Sequence, residues 1–274
     1  MGITFEHQTN NSCCLCGSPD DLTGEHKVKA SALRLEFGTD QMVIGRFETD
    51  SAQAKLAQSV KSKAFHFAAR ICRPCNSSRT QAADREFDHF HRAARTLVHQ
   101  GKNPSSLFED ARYRLGSEAY LNVFRYFAKL LCCHLAEIGA PRPVQIANFA
   151  IGRAGKNCIW LSVDKDWTYE QVFSELGPHQ YAAHGGLVIY ADRKSGEPNA
   201  FHSTLTVGSL RYVFFSRMNW IARLELKFAH PVFYKWCRAR VGDALASPMT
   251  ETERLMLGLS DSEQDEKRVE TAAP

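Results

Sequence analysis

The sequence lacks the features of a membrane or secreted protein. It contains no apolar run long enough to cross a bilayer, and its first ten residues, MGITFEHQTN, contain no apolar signal-peptide core. The initial Met-Gly is not followed by Ser or Thr at the sixth position, so we expect no N-terminal lipid. The sequence therefore predicts a cytoplasmic protein that has no membrane partner.

The sequence also lacks a large excess of charge of either sign, and it contains no internal repeat. The formal net charge is only +4, which neither requires nor excludes a nucleic-acid partner. Hydrophobic residues make up 44% and charged residues 23%, which is typical of a globular protein with a packed core. A length of 274 residues suits one large domain or two ordinary ones.

Cysteine, in contrast, is abundant, and its spacing indicates a metal site. Nine cysteines without a secretion signal favour a reducing compartment, where thiols bind metals or pack as small apolar groups. Cys13 and Cys16 form one C-x-x-C pair, and Cys72 and Cys75 form a second. Two such pairs supply the four thiolates of a tetrahedral zinc site, and Gly17 allows the left-handed backbone of the first turn.

The spacing of the cysteines leaves an alternative open. Cys16 and Cys72 are 56 positions apart, whereas simple zinc ribbons use about 15–20 residues, so the alternative is four unrelated buried thiols. Cys14 also competes with Cys13, although it is too close to Cys16 for the usual turn. The other cysteines lie in apolar segments and are expected to be core thiols: Cys132, Cys133, Cys158 and Cys237.

Hydrophobic periodicity predicts two long helices. One covers residues 76–99, where apolar residues recur at steps of three and four, and Gly101 follows it as a cap. The second covers residues 106–138 with a break near Gly116, and it is apolar over most of its circumference, as a central helix is. We place a domain boundary in the intervening loop, GKNPSS.

The pattern changes after residue 140 to short segments rich in β-branched and aromatic residues. These segments are predicted strands: VQIANFAI, CIWLSV, GGLVIYA, FHSTLTV and LRYVFFS. The segment DRKSGEPN between two of them is typical of a hairpin loop. The predicted organisation is an N-terminal domain (1–101), a domain of helices and antiparallel sheet (102–246), and an acidic tail (247–274) expected to be disordered.

Polar residues beside the cysteine pairs suggest more than a structural metal. Asn76 directly follows the second pair, and helix capping is the simplest explanation for it. Ser77, Ser78 or Thr80 would cap equally well. The segment GEHK places a carboxylate next to an imidazole, and neighbours on a strand point to opposite faces.

The segments CCLCG, TGEHKVKAS and CRPCNSSRT together resemble the HNH endonucleases, or ββα-metal nucleases. The resemblance is to the branch in which two C-x-x-C knuckles clamp the motif, and it covers residues 12–92. It implies an α+β fold class: a zinc-stapled, treble-clef-like ββα-metal domain, followed here by the mixed helix and sheet domain. In this family an acidic-His pair lies on the hairpin and an asparagine follows the last cysteine.

The resemblance assigns a role to each matching residue. His26 would be the general base for a water that attacks phosphorus, as suits an imidazole near pH 7. Glu25 and Asn76 would hold one divalent cation, Mg²⁺ or Mn²⁺, through oxygen atoms. The zinc on Cys13, Cys16, Cys72 and Cys75 would be structural. Aspartate is commoner than glutamate at the position of Glu25, and the longer side chain would shift the cation.

Basic residues near the second knuckle suit a phosphate backbone. Arg70, Arg73 and Arg79 are the expected phosphate contacts, whereas further arginines along the same element also fit a solvated helix face. His66 is a candidate second polar site residue, and the alternative is a histidine alternating with phenylalanines on a strand. Asp84 is predicted to pair with Arg79 along the helix.

Two further features are weaker indications of a metal site and of a nucleic-acid or partner surface. His89 and His91 are two apart, on different helix faces, which disfavours a metal site. The segment RYVFFSR would stack a base or bind a partner, although an inner strand with charged ends is the commoner structure.

The sequence thus predicts a metal-dependent endonuclease whose partner is double-stranded DNA. RNA cleavage is an enzyme alternative, and a non-catalytic zinc-stapled binding module is the rival from another class. Residues 102–246 resemble no family and are expected to recognise the target or a regulatory protein. By analogy with other small HNH domains fused to unassigned regions, a role in antiviral defence of bacteria against phage is a further expectation.

Overall fold

The structure is a computed structural model that describes residues 4–38, 42–47, 55–57, 62–166, 180–192 and 195–246. The predicted acidic tail, 247–274, lies outside the described residues. The helices are Ala30–Phe37 (α1), Gln81–His99 (α2), Glu118–Glu137 (α3), Val144–Ala150 (α4), Trp220–Ala229 (α5) and Pro231–Ala246 (α6). The strands are Phe5–Glu6 (β1), Leu22–His26 (β2), Met42–Phe47 (β3), Lys55–Ala57 (β4), His66–Cys72 (β5), Arg142–Pro143 (β6), Trp160–Lys165 (β7), Gln180–Gly185 (β8), Val188–Ala191 (β9), Pro198–Val207 (β10) and Leu210–Arg217 (β11).

The architecture is mixed α+β, as predicted. One seven-stranded sheet has the order β4-β3-β8-β10-β11-β7, with β9 also paired to β10. Its described strand pairs are antiparallel except for β3 with β8, which are parallel. Two small antiparallel ladders stand apart from this sheet, β1 with β6 and β2 with β5. The second of these carries the candidate site; we name it the β2–β5 hairpin, although α1, β3 and β4 lie between its two strands in the chain.

Helices α2 and α3 form the centre of the molecule between the hairpin and the large sheet. The rings of Phe87 on α2 and Tyr126 on α3 stack with centroids 3.9 Å apart. Phe127 on α3 contacts Tyr212 and Phe214, which lie on the buried face of β11. One buried apolar cluster therefore continues across the boundary predicted at residue 101.

Most of the predicted elements are confirmed, including the strands β7, β9, β10 and β11. The second long helix is interrupted as predicted, since Gly116 has φ +83° and α3 starts after the Ser117 cap. The prediction of a strand in VQIANFAI is wrong, because residues 144–150 form α4. Its buried residues Ile146, Ala147 and Phe149 follow helical spacing, and a short apolar run does not distinguish the two structures.

The hairpin of β2 and β5 is irregular where it carries the candidate histidine. The pairing runs from Leu22 opposite Cys72 to His26 opposite His66, with a register shift between Gly24 and His26. Glu137, at the end of α3, accepts a 3.0 Å hydrogen bond from the N–H of Ala68 on the bulged strand. Helix α3 therefore stabilises the irregular part of the hairpin.

Among the described residues, no helix is long and apolar enough to cross a membrane.

Candidate functional site

The two C-x-x-C pairs come together in the structure. The sulfur atoms of Cys13, Cys16, Cys72 and Cys75 all lie within 4.8 Å of one another. Three of these cysteines are buried, and Cys16 is half-buried. The cluster could hold a metal such as zinc, because four thiolates at this spacing are the usual ligands of a structural tetrahedral site.

Local backbone geometry explains why cysteines so far apart in sequence meet. In the first knuckle, the N–H of Gly17 donates to the carbonyl of Cys13 at 2.8 Å, and Gly17 has φ +79°. The antiparallel pairing of Leu22 with Cys72 brings the second pair to the first. A π-helical turn, Cys75–Arg79, then directs the last sulfur atom inward.

The thiols of the cluster share protons with one another. The hydrogen bond from the Cys75 thiol lowers the pKa of Cys13 to about 4, whereas the same hydrogen bond raises the pKa of Cys75 and burial raises that of Cys72. The Arg79 guanidinium donates to the sulfur atom of Cys75 at 3.3 Å, which places a positive charge beside the ligand set. The donor set and its surroundings therefore fit a zinc ion, and the Arg79 contact orients a ligand in the way that outer-shell partners usually do.

Cys14 is not part of this cluster. Its sulfur atom lies 3.7 Å from that of Cys133 on α3, and the thiol hydrogen bond and burial both raise its pKa. The choice between Cys13 and Cys14 is thus decided in favour of Cys13. The prediction of core thiols is confirmed for Cys132, Cys133 and Cys237, which are buried, whereas Cys158 is half-buried.

His26 lies at the end of β2, directly opposite His66. The two rings have centroids 4.0 Å apart and planes inclined by 42°. Burial lowers the pKa of His26 to about 4, and the charges of His66, Lys129 and Arg34 act in the same direction. His26 is therefore a neutral imidazole at pH 7 and can accept a proton. The strand position predicted for His66 is confirmed, and its ring faces His26.

Asn76 does not cap a helix, so the capping explanation is wrong. Its amide nitrogen donates to the Thr23 hydroxyl at 2.9 Å and to the Gly24 carbonyl at 3.1 Å. These bonds connect the turn after the second knuckle to the strand that ends at His26. Within the described part of the chain, the amide oxygen accepts no hydrogen bond, so it is available to a cation or a water.

Glu25 points to the other side of the hairpin, where it meets a buried lysine. The ammonium of Lys129 on α3 lies 2.9 Å from Glu25 and 2.6 Å from Asp84, and the lysine side chain is only 1% exposed. The predicted pairing of Asp84 with Arg79 is wrong, because Asp84 instead contacts Lys129 and the Thr80 hydroxyl. Among the described residues, Glu25 contacts Lys129 and not the asparagine amide.

The charges of this network compensate one another inside the protein. Burial raises the pKa of the Glu25 carboxyl, and the Lys129 ammonium acts in the opposite direction. Burial alone would lower the pKa of Lys129, but the charges of Glu25 and Asp84 outweigh it, so the lysine stays protonated. We name Glu25, Lys129 and Asp84 the buried charge network.

The arginines expected to bind phosphate are exposed near the hairpin. Arg70 lies opposite Gly24 on β5, Arg73 follows the strand, and Arg79 contacts the cysteine cluster. A cleft of about 530 Å³ beside the cluster is lined by Arg79 and Arg153, but also by Asp20 and other residues. Phosphate binding by Arg70, Arg73 and Arg79 stays a prediction.

Two other histidines are placed away from metal chemistry. The Nδ1 atom of His91 lies 2.7 Å from the Tyr212 hydroxyl, and its Nε2 atom lies 3.4 Å from Glu36. His89 is exposed on another face of the same helix, so the two histidines do not share a site.

Lys129 is the residue at this site that sequence reasoning missed. It is the only charged residue in the apolar segment YFAKLLCC, and that isolation is the available signal. A charged residue in the middle of a buried helix must be paired, but the sequence does not show with what.

Comparison of the chain with protein-family models, with curated proteins and with solved structures gives no match. The resemblance to HNH endonucleases therefore depends on the residues themselves. What the structure adds is the four-cysteine cluster and the strand that ends at His26, to which Asn76 is hydrogen-bonded at Thr23 and Gly24.

Proposed function

We propose that this chain is a metal-dependent endonuclease of the HNH type, which hydrolyses phosphodiester bonds in DNA. The observation that carries the proposal is His26, a half-exposed, neutral imidazole at the end of the strand whose other end pairs with Cys72 of the cysteine cluster. Asn76 connects the cluster to this hairpin through its bonds to Thr23 and Gly24.

In this proposal His26 takes the proton from the attacking water. Its low pKa makes the neutral form dominant at pH 7, but it also makes the ring a weaker base than one titrating near neutrality. Nearby positive groups contribute to that low pKa, so an anionic phosphodiester bound beside them would raise it. Substrate binding would thus move His26 toward the range in which a general base is most effective.

The cation, Mg²⁺ or Mn²⁺, would stabilise negative charge on the phosphate and on the leaving oxygen. Asn76 fits a role as its ligand, because the amide nitrogen is held by the hairpin and the oxygen is free. The resemblance also assigns Glu25, but this carboxylate already contacts the Lys129 ammonium. A cation at Glu25 would have to share the carboxylate with Lys129.

The zinc on the four cysteines would have a structural role. It would hold the first knuckle and the β2–β5 hairpin against the turn that carries Asn76. Because a closed four-thiolate site leaves no open position for water, it would not take part in the chemistry.

One observation favours a second candidate, the non-catalytic zinc-stapled binding module. The Glu25 side chain is only 11% exposed and belongs to the buried charge network, which is what a residue with a purely structural role would show. In that case the hairpin would present a binding surface, and neither His26 nor Asn76 would do chemistry.

A cleavage assay separates the two candidates. Purified protein is incubated with plasmid DNA, single-stranded DNA and RNA, each with Mg²⁺, with Mn²⁺ and with EDTA. The proposal expects cleavage that EDTA abolishes and that His26→Ala reduces by at least about 100-fold, the usual scale of general-base catalysis. His89→Ala is the matched control, because His89 is an exposed histidine on α2. Binding without cleavage under every condition would favour the module, and cleavage of RNA alone would change the substrate class.

A further inference from the structure

One face of the large sheet carries exposed aromatic residues. In β11, Tyr212 and Phe214 are buried toward the helices, so Phe215 and Arg217 point to the opposite face. Trp160, at the start of β7, pairs directly with Phe215 and is 58% exposed. This face therefore presents large apolar rings to solvent, which a sheet face does when it contacts a partner.

The rings form a row across four strands. Phe215 lies opposite Trp160 on one side and opposite His202 of β10 on the other. The Trp160 and Phe215 rings have centroids 6.0 Å apart and planes within 6° of parallel, and Tyr190 of β9 lies 5.2 Å from His202. We name Trp160, Phe215, His202 and Tyr190 the aromatic row. Strands lie about 4.8 Å apart, so the row spans roughly 14 Å.

Positive charge accompanies these rings. The Arg217 guanidinium lies 5.7 Å from the ring centroids of both Trp160 and Phe215. Arg211, further along β11, is half-exposed on the same face. Neither arginine forms an ion pair with any carboxylate in the part of the chain that the structure describes. Asp164 is the acidic residue opposite Arg211 in β7, and the two side chains form no ion pair within 4.0 Å.

We propose that this sheet face binds single-stranded nucleic acid, with bases stacked on the aromatic row and phosphates at Arg217 and Arg211. The flat rings on neighbouring strands can stack on the face of any base, and the guanidinium groups beside them can bind the phosphate of any nucleotide. A duplex hides its base faces in its own stack, so it offers the rings nothing to stack on. The row has room for two or three unstacked bases.

This inference deepens the proposed function by naming the form of nucleic acid that the second half of the chain holds. It does not depend on cleavage, because stacking and phosphate binding need neither His26 nor a divalent cation. The test is therefore made on the His26→Ala protein without added Mg²⁺ or Mn²⁺ and without a chelator, so the zinc stays in place and failure of the nuclease proposal does not affect the result.

The experiment measures fluorescence anisotropy of a labelled oligothymidylate of about 15 nucleotides, within the range of site sizes known for single-strand binding folds. Oligouridylate and a DNA duplex of the same length are measured in parallel. We expect single strands to bind and duplex to bind at least about 10-fold more weakly. Trp160→Ala should weaken binding of the single strand about 10-fold, on the scale of one stacked base.

Arg217→Gln should act differently from the tryptophan variant, because it removes a phosphate contact. The slope of log affinity against log salt concentration should fall by about 0.7, whereas Trp160→Ala should leave the slope unchanged. Trp220→Ala is the matched control for the ring, since Trp220 is 61% exposed but lies on α5. Arg240→Gln is the matched control for Arg217→Gln, because the Arg240 guanidinium also lies near an aromatic ring, 5.4 Å from Trp236, but on α6.

Several results would overturn the proposal. These are no binding of either single strand, equal binding of duplex, or wild-type affinity in both Trp160→Ala and Arg217→Gln. The circular dichroism and melting temperature of each variant exclude unfolding as the cause of a loss. If light scattering shows a dimer that Trp160→Ala converts to a monomer without any change in oligonucleotide binding, the face contacts a second copy of the chain instead.

Discussion

The buried charge network gives the sharpest prediction for stability, through the substitution Lys129→Met. Methionine keeps most of the apolar volume and fills irregular space well, so the change removes mainly the ammonium. Two carboxylates then lose the partner that lies 2.9 Å from Glu25 and 2.6 Å from Asp84. All three side chains are shielded, with exposures of 1%, 11% and 20%, so solvent replaces little of the lost interaction.

Breaking a buried ion pair from one side destabilises a protein by about 3–5 kcal/mol, because an uncompensated charge is left behind. For a chain of this size, each kcal/mol lowers the melting temperature by about 2–4 °C. We therefore expect Lys129→Met to melt roughly 6–20 °C below the wild type. Lys102→Met, at an exposed loop position, is the matched control and should change stability by no more than about 0.5 kcal/mol.

The deficit should also depend on pH, with a definite sign. Burial raises the pKa of Glu25, and loss of the ammonium raises it further. A carboxyl whose pKa is higher in the folded state binds its proton more tightly there, so lowering the pH favours folding and raising it disfavours folding. The stability deficit of Lys129→Met should consequently be smaller at pH 5 than at pH 8.

Thermal denaturation followed by circular dichroism at both pH values measures these quantities. Adding Glu25→Gln and Asp84→Asn to Lys129→Met should recover part of the loss, because neutral amides are buried at lower cost than charges. The reasoning fails if Lys129→Met melts within about 2 °C of the wild type, or if its deficit is the same at both pH values.

The remaining predictions concern the metal sites and the base. Elemental analysis should find about one zinc per chain, and Cys72→Ser should lose the zinc together with folding of the N-terminal region; zinc retained in a folded Cys72→Ser would contradict this. Asn76→Ala should lose more cleavage than stability and should require more Mg²⁺, while Asn76→Asp keeps some activity with a changed metal preference; unchanged Mg²⁺ titrations would remove Asn76 from the cation site. As the pH is lowered, kcat/KM should fall with a midpoint near pH 4, the pKa of His26 in the free protein. Arg34→Gln should move this midpoint to higher pH, because the Arg34 charge lowers the pKa of His26. A midpoint near pH 6.5 in the wild type would refute the assignment.

The metal cluster was predictable because its signal is local. Each C-x-x-C pair with its turn forms within a few residues, and Gly17 reports the left-handed backbone that the first turn adopts. That Cys13 rather than Cys14 belongs to the cluster was also predicted from spacing alone. Cys16 and Cys72 are 56 positions apart, and the spacing did not predict which helices and strands lie between them.

Helix and strand periods predicted most of the fold, and they failed where the segment was short. The strands of the large sheet carry enough alternating residues to be recognised, whereas the seven residues of α4 do not. Val144–Ala150 forms a helix whose apolar side packs against α3. Seven residues of sequence do not show which element they pack against, so they did not predict this helix.

The sequence by itself determined the cysteine ligands, the long helices and the candidacy of His26 and Asn76, since each of these signals lies within about ten neighbouring residues. Only the tertiary structure decided what these residues touch. Lys129 reaches Glu25 across roughly a hundred positions of chain, and the aromatic row combines single rings from four strands. Such contacts depend on how helices and sheets pack, because each partner contributes one side chain whose position is set by the burial of its whole element.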